Sequence, residues 1–160
     1  MQELVIKKFP DPFLRKKASK ILNVTSYERA VLAEMAKLMY LSQGVGLAAI
    51  QVGVNKQLAV IDVGSGLISF INPIIVKRGG RESLEEGCLS VPGINVKIRR
   101  SKTVTAHFLD EYGNARQLHA DGLLARAIQH ELDHLAGTLI IDYVNPVKKI
   151  LLRRALTKRK

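Results

Sequence analysis

The pentad His130-Glu131-Leu132-Asp133-His134 limits this chain more than any other stretch of it. On a helix, residues four apart project from one face about a turn apart, so two imidazoles can reach one ion. Glu131 lies on the same side and can serve as general base toward a water held there. A helix is what the surroundings predict: 122–136 contains no proline, Asp121 stands where a cap belongs, and Gly137 stands where a helix ends. Leu124, Ile128, Glu131 and Leu135 fall within one narrow arc, with Leu123, Ala127 and His134 beside it. Arg126, Gln129 and Asp133 fall opposite. The Glu131 carboxylate therefore faces the core, where a charge is costly unless a metal or a proton-transfer role accounts for it.

Two histidines leave a third ligand to be found. No glutamate follows Glu131, which removes the downstream acid of one protease class. The extended HExxHxxGxxH pattern fails as well, because Gly137 fits but Ile140 stands at the last position. Asp142 offers an oxygen beyond the helix-ending glycine, with no supporting pattern. Upstream, the only thiol is Cys88, in Glu85-Glu86-Gly87-Cys88-Leu89-Ser90. A lone cysteine is in general a small buried hydrophobe. Joined to two histidines it makes a Cys/His2 set with a fourth position open to water, the catalytic form of a metal site. Ligand type and spacing favour zinc. His107 and His119 stay outside the set, since His107 alternates with Val104, Ala106 and Phe108 on the opposite face of a strand.

The rest of the chain reads as one domain over 1–160, large enough at 160 residues and 47% hydrophobic for a single core. Ala30, Leu32, Met35, Leu38 and Met39 predict a helix over 27–41, capped by Thr25 or Ser26 and broken at Gln43-Gly44-Val45-Gly46. Strands are expected over 58–63, 67–76 and 102–109, with Asn72-Pro73 marking an edge or a bend. A turn at 111–114 leads into a further strand over 115–118. Helix, strands and helix without βαβ alternation predict an α+β fold, with mostly antiparallel sheets packed around the helix that carries the pentad.

The formal net charge is +11, from 25 basic and 14 acidic residues. Much of it lies in 148–160, where Lys148, Lys149, Arg153, Arg154, Lys158, Arg159 and Lys160 occur with no acid. Val147, Ile150, Leu151 and Leu156 interleave as the apolar stripe of a basic C-terminal helix, either a solvated face or a contact for a polyanion such as ribosomal RNA. The first eight residues lack the apolar stretch of a secretory signal, no run approaches membrane-spanning length, and one cysteine allows no internal disulfide. A cytoplasmic setting is the expectation.

Three stretches together resemble the peptide deformylase family, in that family's order: Gly44-Val45-Gly46-Leu47-Ala48-Ala49-Ile50-Gln51, Glu86-Gly87-Cys88-Leu89-Ser90 and Gln129-His130-Glu131-Leu132-Asp133-His134. Pro10-Asp11-Pro12-Phe13-Leu14-Arg15, Asn72-Pro73 and Asp121-Gly122-Leu123-Leu124 are lesser matches, and the resemblance covers nearly the whole chain. It implies removal of the formyl group from the initiator methionine of nascent bacterial-type proteins, releasing formate. The expected partners are N-formylmethionyl peptides and nascent chains, with possible ribosome contact, no membrane and no DNA, and the chain a monomer. The family metal is Fe2+, with Zn2+, Ni2+ or Co2+ able to replace it. Iron rests on the resemblance alone.

The same resemblance implies roles for residues. Cys88, His130 and His134 hold the ion, whose bound water is the nucleophile, and Glu131 is the general acid/base. The Gln51 amide and the Leu89 backbone N–H face the developing oxyanion. Val45, Leu123 and Ala127 line a pocket for the methionine side chain, with Glu86 and His130 near and Arg126 at the rim. Gly44 and Gly46 let a peptide backbone pair like an added strand. Glu86 has an alternative place, paired with Arg100 as a brace for the Cys88 loop. Ile140, where the family often has phenylalanine, and Asn95, where some members carry a peptide-contacting arginine, depart from the pattern. Two rivals are a zinc protease and a basic RNA-binding protein with an inactive metal site. The missing downstream ligand counts against the first, and the single cysteine, which leaves a coordination position open, against the second.

Overall fold

Thr25 opens the first helix, α1 (Ser26–Leu41), with a reciprocal cap. Its Oγ1 accepts from Tyr27 N at 3.2 Å, and Glu28 Oε2 accepts from Thr25 N at 2.9 Å. The cap is Thr25, and Ser26 is already helical, one residue ahead of the hydrophobic pattern. In this computed structural model, which describes residues 3–158, α1 buries Val31, Leu32, Met35 and Met39 against one face of a sheet.

That sheet has five strands in the order β1 (Gly46–Ala48), β2 (Leu58–Ile61), β3 (Ile68–Gly79), β6 (Thr103–Leu109) and β7 (Ala115–Asp121), all antiparallel. β2 is shorter than expected, while β3 and β7 are longer. Asn72-Pro73 lies inside β3 and shifts its register between Ile71 and Ile74, so proline sits in an inner strand at a bulge. Asn72, at φ 50°, is held by its side chain, which accepts from Ile21 N at 2.9 Å and donates to Ile21 O at 2.7 Å.

A second, two-stranded sheet pairs β4 (Glu82–Glu86) with β5 (Val96–Arg100). The hydrophobic pattern did not reveal it, because β4 is Glu-Ser-Leu-Glu-Glu and only Glu86 in it is buried. Three of its five residues are acidic, and in the ladder Glu82 stands opposite Arg100, Leu84 opposite Ile98 and Glu85 opposite Lys97. β5 does alternate, burying Val96, Ile98 and Arg100.

Helix α2 (Gly122–Leu135) carries the pentad and packs Ala125, Ala127 and Ile128 against Ala59, Phe70 and Ala106 of the large sheet. Asp121 occupies the cap position, but its side chain makes no capping bond. Gly137 ends the helix for a visible reason: its φ is 77°, and a Cβ there would stand 2.6 Å from Arg15 O. The arc opposite the core is itself largely covered. Arg126 and Gln129 are buried, because the β4–β5 sheet covers that face; Arg126 donates to Ile98 O and Glu82 O.

The C-terminal helix, α3 (Pro146–Thr157), is capped by Asn145. Of the expected apolar stripe only Leu156 is buried, with Leu152 packing beside it, whereas Val147, Ile150 and Leu151 face solvent. Arg159 and Lys160 of the basic tail lie outside the described residues. No helix among those described is long and apolar enough to cross a membrane.

Candidate metal centre

Cys88 lies two residues past the end of β4, and His130 and His134 are a turn apart on α2, so the loop after the small sheet and the helix meet at these three residues. Cys88 Sγ and His134 Nε2 are 3.2 Å apart, His134 Nε2 and His130 Nε2 are 3.1 Å apart, and all three donors lie within 4.8 Å of one another. Sulfur and nitrogen ligands at ordinary distances from a tetrahedral ion stand roughly 3.4–3.6 Å apart, so the cluster is close to the size of a divalent ion's coordination shell. One thiol and two imidazoles also suit a divalent first-row metal chemically. Asp142, the oxygen donor considered from the sequence, is committed elsewhere: it pairs with Arg15 and Lys149 and accepts from Leu139 N. His107 and His119 are exposed on the sheet, bonded to Gln117 and Thr105.

The imidazoles are oriented differently. His130 Nδ1 lies 2.9 Å from Glu86 Oε2. Burial alone would raise the Glu86 carboxyl, but hydrogen bonds from Arg100 and His130 outweigh it and hold the group at about 2. An ionised carboxylate only accepts, so Nδ1 carries a proton and Nε2 is the nitrogen turned to the cluster. Burial works against charge on His130, yet bonds to Cys88 and Glu86 prevail and push it up to about 10. His134 goes the other way, lowered by burial and by His130, and its Nδ1 is buried without a partner among the described residues. Proton and cation compete for such a set.

Glu86 is the centre of a wider ionic network. Arg100 grips both of its oxygens, at 2.6 and 2.9 Å, and Arg126 Nη1 donates to Oε1 at 2.7 Å. Arg100 also reaches Asp133 at 2.8 Å, and Tyr143 O–H donates to the same Asp133 oxygen at 2.6 Å. The pairing of Glu86 with Arg100 coexists with a place in the cavity wall. Arg126 also lines that cavity, with its head buried on Glu86 instead of free at a rim. The parts of Arg126, Asp133 and Tyr143 were missed. The available signal was position: Arg126 precedes His130 by one helical turn and so reaches the same carboxylate.

Glu131 is buried, and burial pushes its carboxyl up to about 7, where one group can both take and return a proton. Its Oε2 has no partner among the described residues. Gln51 lies in a 3-10 turn (Ala49–Val52) just after β1. Ala48 N donates to Gln51 Oε1 at 2.8 Å, while Nε2 donates to Ser90 Oγ at 3.1 Å and stands 3.8 Å from Cys88 Sγ. The amide donor is thereby aimed at the cluster by Ser90, two residues beyond Cys88 and overlooked from the sequence.

These groups form one wall of a cavity of about 660 Å³. Gln51, Glu86, Cys88, Leu89, His130 and Glu131 line it, as do Gly44, Val45, Gly46, Leu123 and Ala127. His134 does not, being enclosed behind the other two donors. Val45 and Leu123 are 44% and 55% exposed, and Ala127 is buried, so the apolar lining runs from mouth to floor. An apolar cleft with a few convergent polar groups suits a small side chain attached to a reactive polar head.

The model of the polypeptide deformylase family matches residues 4–150. Peptide deformylase from Xylella fastidiosa (strain M12) is 45% identical over 166 residues, covering 100% of this chain and 98% of its own length. That of Caldanaerobacter subterraneus subsp. tengcongensis is 48% identical over 139 residues, 87% of each chain. The crystal structure of peptide deformylase from Ehrlichia chaffeensis in complex with actinonin superposes with a TM-score of 0.96 at 35% identity, covering 100% of this chain and 99% of that one. The Legionella pneumophila peptide deformylase superposes at 0.92 with 39% identity, covering 98% and 95%.

Proposed function

This chain belongs to the polypeptide deformylase family, metalloenzymes that take the N-formyl group from nascent peptides, and we propose that it cleaves formyl-methionine with Glu131 as general acid/base. The observation that carries this reading is the convergence of Cys88, His130 and His134 beside buried Glu131 in the wall of an apolar cavity. Those three residues would hold one divalent ion, Fe2+ first, with Zn2+, Ni2+ or Co2+ as substitutes. Such an ion supplies Lewis acidity toward the formyl carbonyl and lowers the pKa of water.

The chain's own residues do the rest. Glu131 takes the proton of the attacking water and hands it to the leaving amine, so the formyl C–N bond breaks to give formate and a free amino terminus. The Gln51 amide, fixed by Ala48 and Ser90, and the Leu89 N–H face the oxygen on which negative charge develops. The methionine side chain enters between Val45, Leu123 and Ala127, and the backbone at Gly44 and Gly46 pairs with the peptide. Glu86 holds His130 in the tautomer a ligand needs.

The proposal also takes the enzyme to be cytoplasmic and monomeric, working near ribosomes. Actinonin, bound by the Ehrlichia chaffeensis enzyme, is expected to bind here too. The decisive experiment is formate release from a formyl-Met tripeptide by anaerobically prepared, iron-loaded protein, with Glu131→Gln alongside. Release by wild type and near-silence in the variant are expected. No release by protein carrying a full complement of metal overturns the proposal.

A further inference from the structure

A second cavity of about 420 Å³ opens on the adjoining face of α2, and its wall is almost wholly polar. Arg78 comes to it from β3, Arg81 from the turn before β4, and Arg99 and Arg100 from β5. The only acid in the lining among the described residues is Asp133, already shared by Arg100 and the Tyr143 hydroxyl. Arg15, Arg100, Arg116 and Arg126 all have carboxylate partners, whereas Arg78, Arg81 and Arg99 have none within 4.0 Å among the described residues. Like charges brought from three segments into one concavity repel, and the fold holds them there regardless.

The cavity is also braced. Gln129 uses its whole amide: Oε1 accepts from Arg78 at 3.0 Å and from Ser101 N at 3.1 Å, and Nε2 donates to Ser101 O and Ala125 O, both at 2.9 Å. One guanidinium is thus pinned against α2, while Arg81 and Arg99 are exposed, with no hydrogen-bond partner for their guanidiniums among the described residues. Planar guanidinium forks gathered in one cavity match a tetrahedral oxyanion of more than one negative charge.

We propose that this arginine-lined cavity between β3, β5 and α2 binds a phosphate group, presented either by a small phosphate or by a phosphodiester backbone. The site is separate from the metal centre and makes no use of Cys88, His134 or Glu131.

Calorimetric titration of the metal-loaded protein with inorganic pyrophosphate, and separately with a short single-stranded oligonucleotide, tests it at fixed ionic strength. The comparison is with Arg81→Ala/Arg99→Ala, whose exposed side chains make no bond that folding needs. Saturable binding that weakens roughly tenfold or more in the double variant is expected, as two charged donors are lost. Loss for pyrophosphate alone identifies a small phosphate as the occupant, and loss for both with mutual competition identifies a nucleic-acid backbone. Absence of saturable binding overturns the proposal. So does binding that survives unchanged in the double variant, since it then belongs to the metal or to α3.

Discussion

Gly46 and Glu131 compete for the same space: a Cβ built on Gly46 would stand 2.9 Å from Glu131 Cδ and nearer still to Oε1. The glycine of β1 therefore fixes where the carboxylate on α2 rests. Gly46→Ala should push the Glu131 head out of line while leaving the three metal-side residues untouched. Misplacement on the ångström scale costs roughly 100-fold in rate. Formate release should fall by that order with metal content per chain unchanged, and a variant of full activity would refute the assignment.

Glu86→Gln removes the anion that pairs with Arg100, Arg126 and His130 together. Two buried guanidiniums would lose their shared partner, at a cost of about 3–5 kcal/mol. The His130 tautomer would also be released, weakening metal affinity by roughly 10–100-fold. Urea unfolding reads the first effect and competition with a chelator the second. Loss of stability without loss of affinity would confine Glu86 to a structural role.

Acid should expose the cap of α1. Burial opposes charge on Glu28, but bonds from Lys56 and Thr25 win and hold its carboxyl at about 2, below its ordinary 4.5. A depressed carboxyl contributes stability that is complete above pH 4.5 and lost as pH falls toward 2. Glu28→Gln should be less stable than wild type at pH 7, with the gap closing between pH 4.5 and 2. Glu86 and Asp142, also held at about 2, add to the wild-type slope. A gap independent of pH in urea midpoints would contradict this account.

Contact of α3 with the ribosome is best tested by charge reversal, because Leu152 and Leu156 pack into the body and deleting the helix would disturb it. Lys148 and Arg153 are exposed, whereas Lys149 pairs with Asp142. Lys148→Glu/Arg153→Glu should weaken co-sedimentation with ribosomes severalfold at low salt and spare turnover of a short formyl peptide. Equal co-sedimentation would remove the helix from consideration.

What could be read in advance follows from how each element advertises itself. α2 showed its period, its terminal glycine and its chemistry in one stretch, and α1 showed a stripe and a cap. β4 showed nothing, since a strand of three glutamates, a serine and one leucine has no apolar alternation to detect. The burial of Arg126 and Gln129 could not be read for the same reason: an arc drawn around α2 sets them opposite the core, and only the small sheet shows what covers that face. Cys88 was reachable by exhausting other ligands, whereas Ser90 and Tyr143 act through hydroxyl bonds that no spacing announces.

The unrecognised strand has a further consequence. His130 and His134 ride on a helix packed against the large sheet, while Cys88 follows the β4–β5 ribbon, whose Val96 and Ile98 are buried in a separate apolar cluster with Leu139, Ile140 and Ile141. The two sides of the cluster are thus anchored in different packing units, and β4, which leads to the thiol, buries only Glu86. Local opening should begin at β4 and carry the thiol away while α2 is still intact. Thermal inactivation would then be a detachment well ahead of global melting, visible as early amide exchange at 82–88 and suppressed when an ion clips ribbon to helix.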